Sequence, residues 1–253
     1  MAIQSNFEKS TLIRSVVSKL GPYSIIEYAR DVSVNPANAE MMYYASRMNF
    51  RKKQLSVALN NTGVILQAGA MQMIAGDITV GTDVKGAGDL ARKMFSGTVT
   101  GESAIKPKYT GTGTVILEPT YKYLLLQDLA DWGGSMIIED GMFLACDDTV
   151  KLKTVARTNL SSAALGGAGL FNLSLQGSGI VALECRVPES ELIVFNLEND
   201  TLKIDGNMAV AWSTGLQFTV ERTTKTLVGS AASGEGLVNV YRGTGKILVA
   251  PVA

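Results

Sequence analysis

A glycine-x-glycine step followed by an apolar run occurs three times in this chain, as GTGTVILEP, GSGIVALEC and GTGKILVAP. The three strings start at Gly111, Gly177 and Gly243, so one constant spacing of 66 residues separates each from the next. Self-similarity at a fixed period indicates a repeated structural unit, and it has to be interpreted before any local motif. The sequence therefore predicts three tandem copies, with the glycines turning strands in each copy.

Within each copy, apolar and polar residues alternate, as they do around Ile78 and Val80. Such alternation places one side of a strand on a core and the other side in water. Short apolar runs bounded by Asn, Asp or Gly also favour strands over helices, because a periodic helical pattern needs about ten residues or more. These runs cover residues 54–59, 122–126 and 191–195. We therefore predict an all-β fold of three tandem β-repeats with pseudo-threefold symmetry.

The repeats define the predicted domain organisation. A single triplicated β domain covers residues 51–253, with copies at about 51–119, 120–185 and 186–253. Residues 1–50 lie outside the triplication and form an N-terminal extension, which we expect to be partly helical. Short helices between the repeats are predicted around 88–95, 161–165 and 223–228.

Two helices are predicted in the extension. The segment Glu8–Leu20 places its apolar residues on one helical stripe. Further along, Asn35-Pro36 precedes ANAEMMYYASRM, which is typical of an asparagine cap, a proline in the first turn and a helix after it.

The residue types restrict the chemistry. Histidine is absent, which excludes His-based acid–base catalysis, His-activated nucleophiles and metal sites that need imidazole. We expect Cys146 and Cys185 to be buried free thiols in a reducing compartment. The neighbours Asp147 and Asp148 would point to opposite faces of a strand, so a solvated turn is predicted there. We expect no catalytic residues, no metal and no cofactor; an enzyme using carboxylate, Lys or Tyr chemistry is the third alternative.

Charge and hydropathy bear on the partners. The 23 basic residues balance 23 acidic ones, so no net field attracts the chain to nucleic acid or to an anionic membrane. No apolar stretch reaches the roughly 18 residues of a spanning helix. The start of the chain resembles neither a secretion signal nor a transit peptide. We therefore expect a cytoplasmic protein, with peripheral attachment to a membrane as a variant of that location.

Three cations share one register of the repeat. Each follows, by sixteen residues, a glycine that an apolar segment enters: Lys85 follows Gly69, and Arg157 and Arg222 follow the corresponding glycines of the other copies. Under threefold symmetry they would converge at one end, where their repulsion would call for a bridging anion. The alternative is that each cation pairs with a carboxylate or carbonyl of its own copy. Lys85, Arg157 and Arg222 are thus the candidate anion site.

Longer strings carry a family resemblance. The segment Gly229–Pro251, together with QAGAMQMIAGDITV and GGSMIIEDGMFLA, resembles the altered-inheritance-of-mitochondria protein 24 family over about residues 50–253. The resemblance implies a fold similar to the tryptophan RNA-binding attenuation protein, a short double-stranded β-helix type, here three times in one chain. It implies neither RNA nor tryptophan binding, because a fold does not carry a function. It offers no catalytic residues, and it associates eukaryotic members with the mitochondrial inner membrane; this chain resembles a bacterial member.

The function predicted from these observations is non-enzymatic binding or scaffolding. Exposed apolar patches on such a β body would mark its interface, with a protein partner, a membrane surface or a second copy of the chain as the expected partner. Binding of a small molecule or anion at the pseudo-threefold end is the alternative.

Overall fold

The computed structural model describes residues 3–8, 13–82, 106–156, 171–222 and 237–252. Strands make up most of these ranges, so the predicted all-β class is confirmed. The extension contains β1 (Arg14–Leu20), β2 (Tyr23–Tyr28) and α1 (Ala39–Arg47). The first predicted copy contains β3 (Lys53–Leu66), β4 (Met71–Gly81) and β5 (Lys108–Leu117).

The second and third predicted copies follow the same order with more interruptions. The second contains β6 (Tyr123–Asp128), β7 (Ser135–Ile138), β8 (Phe143–Asp147), β9 (Lys151–Ala156), β10 (Phe171–Gln176) and β11 (Ile180–Cys185). The third contains β12 (Ile193–Asp205), β13 (Ala209–Ser213), β14 (Gln217–Arg222) and β15 (Leu237–Val249). Single 3₁₀ turns occupy Pro36–Asn38, Leu129–Trp132 and Glu189–Glu191.

Two sheets contain all the described strands. The first sheet runs β1-β2-β3-β8-β11-β6, with β5 also pairing β3 and β4 pairing β5. The second runs β12-β15-β13-β7-β10-β9, with β14 also pairing β15. In each predicted copy the last strand lies between the first and the middle strands, as β5 lies between β3 and β4. The threefold relation between the copies, and the domain boundaries, stay predictions.

The repeated glycine pairs bend these central strands. Gly111 and Gly113 have φ of 145° and 156°, and the later pairs are also positive, at 121° and 134° and at 120° and 158°. The bend brings strands into close contact: a Cβ on Gly113 would lie 2.3 Å from the Ala75 carbonyl oxygen. In the second copy the bend separates β10 from β11, so the two halves join different sheets.

A continuous core lies under the second copy and its neighbours. Trp132 belongs to this cluster, together with Val210 and Leu248 of the third copy. Cys146 and Cys185 are buried free thiols, as predicted. Burial raises the pKa of both thiols above the ordinary value, which keeps them protonated and unreactive.

Of the two helices predicted in the extension, one is confirmed and the other is wrong. The prediction at Asn35-Pro36 is confirmed: the Asn35 side chain accepts a hydrogen bond from the Ala37 amide at 2.9 Å, and α1 follows. The helix predicted over Glu8–Leu20 is wrong, because Arg14–Leu20 is the strand β1. It forms a hairpin with β2, which in turn pairs with β3. The turn Gly21-Pro22 and the β-branched valines of β1 favour a hairpin, and pairing with β3 outweighs the helical periodicity. The helices predicted between the repeats lie outside the described residues.

Replacing Gly113 with alanine is expected to lower the free energy of unfolding by about 2 kcal/mol or more, because a positive φ and a backbone clash act together. Gly81→Ala, on the neighbouring strand, is the control, since its Cβ would meet no atom within 4 Å. Urea unfolding followed by circular dichroism measures both variants. Equal losses would show that the bend does not depend on Gly113.

Candidate functional site

Of the three residues of the predicted anion site, Arg222 alone is among the described residues. Lys85 and Arg157 lie outside the described residues. Arg222 is exposed at the end of β14. The convergence of the three cations therefore stays a prediction.

A large open cavity lies beside the first copy, with a volume of about 1500 Å³. Residues 3–8 line one side of it, and β3, β4 and β5 line the other. Among the described residues that line it, the charged ones are Glu8 and Asp77, and Glu8 accepts a hydrogen bond from Ser56 Oγ at 2.9 Å.

Helix α1 presents an exposed apolar surface. Met41, Tyr44 and Met48, which we call the helix patch, have 62%, 60% and 80% of their surface exposed. Large apolar side chains are usually buried, and a cluster of exposed ones indicates an interaction surface. The helix patch is therefore the candidate functional site.

Helical geometry explains the patch. Residues spaced by three and four lie on one side of a helix, so Met41, Tyr44 and Met48 share a flank. Met42 and Ala45, on another side of the helix, are half-buried. On the remaining flank lie Glu40, Tyr43 and Arg47, where the Arg47 guanidinium donates to the Tyr43 hydroxyl at 2.9 Å.

An aromatic stack and a hydrogen bond attach the end of α1 to the β body. The Phe50 ring stacks on that of Tyr121, with centroids 5.4 Å apart. The Tyr121 hydroxyl donates to the Asp31 carboxylate at 2.7 Å, and Lys52 Nζ lies 3.1 Å from the same carboxylate. These contacts link the segment before α1 to the segment after it.

Ion pairs neutralise the basic residues that follow the helix. Arg51 and Lys53 both pair with Glu27 of β2, at 3.1 Å and 3.4 Å. With Lys52 paired to Asp31, each cation of the RKK run has a carboxylate partner. The patch is therefore apolar without a strongly basic border.

The Asp31–Tyr121 contact changes the acidity of both groups. The hydrogen bond from Tyr121 lowers the pKa of Asp31 below 3.8, and Lys52 acts in the same direction. Burial first, and the Asp31 carboxylate second, raise the pKa of Tyr121 to about 12. Near neutral pH the pair is thus a neutral donor and a charged acceptor, the stronger form of such a bond.

Asp147 has a structural role that the sequence did not reveal. Instead of lying in a solvated turn it ends β8, where one oxygen accepts from the Tyr23 hydroxyl and the other from the Ile180 amide, both at 2.8 Å. Burial, and then Asp147, raise the pKa of Tyr23 above its ordinary value. The bond attaches the extension to the second copy. Tyr23 and Asp147 are 124 residues apart, and no local motif connects them.

The described part of the chain contains no group of three or more Asp, Glu or Cys placed to hold a metal ion. Within the same ranges, no helix is both long and apolar enough to span a bilayer.

Comparisons with known proteins give one family and two streptococcal relatives. The model of the family described as "Mitochondrial biogenesis AIM24" matches residues 44–252. An uncharacterized protein of Streptococcus pyogenes serotype M6 is 28% identical over 227 residues, which cover 84% of this chain and 89% of that protein. A crystal structure of a Streptococcus pyogenes protein has a TM-score of 0.58 at 26% identity, covering 80% of this chain and 89% of the other. The match begins inside α1, so the extension before residue 44 lies outside the family model.

Replacing Tyr121 with phenylalanine should raise the pKa of Asp31 toward 3.8, because the hydroxyl is the largest cause of its lowering. A lowered carboxyl pKa contributes stability above the ordinary pKa, and this contribution is lost as the pH falls through the folded-state value. The variant should therefore lose less stability than the wild type on acidification. NMR titration of Asp31 and urea unfolding across acidic pH measure the two effects.

Tyr43→Phe is the control, because its hydroxyl is exposed and bonds Arg47 instead. An Asp31 pKa that is the same in Tyr121→Phe and in the wild type would contradict the assigned cause.

Proposed function

We propose that this chain, which belongs to the mitochondrial biogenesis AIM24 family, is a non-enzymatic binding or scaffolding protein that attaches to a membrane surface through the helix patch. The exposure of Met41, Tyr44 and Met48 on one flank of α1 is the observation that carries the proposal.

The physical argument concerns how such a helix meets a bilayer. A helix with one apolar flank and one polar flank lies in the interface plane and buries the apolar side chains among the headgroups and acyl chains. Tyr and Met suit this depth, because a tyrosine combines an apolar ring with a polar hydroxyl and methionine is flexible. The stack of Phe50 on Tyr121 holds the helix to the β body, so attachment of the helix carries the whole body to the surface.

The charge balance defines the type of membrane binding. Arg51, Lys52 and Lys53 pair with carboxylates of the same chain, so they leave little positive field to attract anionic lipid. We therefore expect apolar insertion to supply most of the affinity. Binding of that kind depends weakly on salt and on lipid charge.

The side chains also support a role without catalysis. The sequence lacks histidine, and burial raises the pKa of both thiols, which disfavours them as nucleophiles. The proposal accordingly assigns no reaction to the chain.

Vesicle flotation with phosphatidylcholine vesicles tests the proposal. The wild type should float with the vesicles, and the variant Met41→Ser, Tyr44→Ser, Met48→Ser should bind at least about tenfold more weakly, since each deeply inserted apolar side chain contributes about 1.5–3 kcal/mol. Raising the salt concentration should change wild-type binding little.

The control is Glu40→Ser, Arg47→Ser, which changes two charged residues on the other flank of the helix and keeps Tyr43, whose ring lies 5.4 Å from that of Tyr44. Circular dichroism checks that both variants keep the same helix content. A wild type that stays unbound, or binding that requires anionic lipid and disappears with salt, would refute the proposal. Capture of a protein by the wild type but not by the patch variant, without vesicle binding, would assign the patch to a protein partner instead.

A further inference from the structure

Within the described residues six strands pair with a neighbour on one side only, and β4 and β12 are two of them, with β1, β6, β9 and β14. β4 pairs with β5 on one side, and β12 pairs with β15 on one side. No other described strand pairs with their second edges, and an edge of this kind readily pairs with another strand.

The chain already joins its predicted copies through edges of this kind. In the first junction, β3 pairs antiparallel with β8, with Ile65 opposite Cys146 and Leu66 opposite Ala145. In the second, β7 pairs with β13, with Ile137 opposite Trp212 and Ile138 opposite Ala211. At each junction, a strand from the first half of one copy (β3 or β7) pairs with the strand that begins the middle part of the next copy (β8 or β13).

A bulge marks the same position in each middle strand. The ladder skips Leu144 in β8, Val210 in β13 and Gln72 in β4. At the two junctions, the carbonyl of the skipped residue accepts from the residue after the paired segment: Gln67 donates to Leu144 at 2.8 Å, and Glu139 to Val210 at 3.0 Å. β4 therefore has the features of β8 and β13, while no described strand pairs with its outer edge.

We propose that the open edge of β4 pairs with the open edge of β12 from a second copy of this chain, in the register of the two internal junctions. By that register Ile204 lies opposite Met73, Lys203 opposite Ile74 and Leu202 opposite Ala75. The Asp205 amide donates to the Gln72 carbonyl. The contact is antiparallel and continues the sheet of one chain into the sheet of the other.

The burial of the corresponding residues at the internal junctions supports a second copy as the partner of these edges. Ala145 and Ala211, which correspond to Met73, are fully buried at the internal junctions, whereas Met73 has 43% of its surface exposed. Likewise Val64 and Met136 are fully buried, whereas the corresponding Leu202 is only partly buried. Apolar side chains thus occupy the open edges at positions that the junctions bury.

Lys203 limits the strength of the contact. It stands where the internal junctions have Ile65 and Ile137, and lysine on an edge strand opposes unrestrained pairing. A linked chain also supplies a high effective concentration that two separate chains lack. We therefore expect assembly that depends on protein concentration and reverses on dilution.

Each chain offers one β4 edge and one β12 edge, so the contact joins unlike surfaces. Such contacts produce a ring when the rotation closes, and an open series otherwise. The proposal uses no residue of the helix patch, so a failure of vesicle binding leaves it unchanged.

Light scattering during size exclusion tests the assembly. The wild type should form oligomers that dissociate on dilution, and Met73→Glu should remain monomeric, because its carboxylate would lie opposite Ile204. Val80→Glu is the matched control: Val80 lies on the same strand, 52% exposed, but beyond the segment that the register pairs. It should assemble like the wild type.

Cross-linking tests the register. A tagged Ile74→Cys chain and an untagged Lys203→Cys chain, produced in the same cells, should form disulfide-linked pairs that contain one chain of each kind. Two Ile74→Cys chains alone should not link, and neither should Val80→Cys with Lys203→Cys. Reduction should return monomers, and the buried Cys146 and Cys185 provide the background level in the wild type.

Three results would overturn the proposal. The first is a wild type that remains monomeric at every concentration. The second is equal loss of assembly in Met73→Glu and Val80→Glu. The third is a disulfide within a single chain of the double variant Ile74→Cys, Lys203→Cys, because it would show that the two edges close on each other in one molecule.

Discussion

Pairing of each copy's last strand on both of its sides is the constraint on which the described architecture depends. β5 and β15 pair on both sides along much of their length. The glycine pairs allow the neighbouring strands to approach closely, because a Cβ on Gly113 or Gly245 would lie within 3 Å of an atom of the adjacent strand. The first strand of the copy adjusts as well: Asn61 and Asn199 take a positive φ where the ladders of β3 and β12 shift register. The glycine spacing in the sequence and the close contact between strands in the backbone are thus one physical feature.

This link explains which parts of the fold could be predicted from the sequence. Local signals were sufficient for the strands, which follow from alternation, and for α1, which follows from Asn35 and Pro36. Burial of Trp132, Trp212 and both cysteines also follows from residue type. Each of these features depends on short stretches of chain, where propensity and tertiary packing favour the same structure.

Features that depend on distant partners could not be predicted. The apolar stripe before Leu20 fits a helix when it is considered alone. The segment forms the strand β1 because it pairs with β2, which in turn pairs with β3. The role of Asp147 depends on Tyr23 and Ile180, neither of which is near it in sequence. The helix patch was equally hidden: Met41, Tyr44 and Met48 suit a core, and the sequence contains no sign that the β body leaves them exposed.

The extension relates these observations to one another. β2 covers the first half of β3, where Tyr23, Leu55 and Val57 are buried together. The corresponding first half of β12 has no such cover in the described residues, and Ile193, Val194 and Phe195 are exposed there. A hairpin at the N-terminus therefore protects one strand edge of the first copy and at the same time positions α1, through Glu27 of β2 and its partners Arg51 and Lys53. Within the described residues, the extension thus covers an apolar edge of the first copy, and the similar edge of the third copy has no cover. Two unlike edges of this kind are what head-to-tail contact between copies requires.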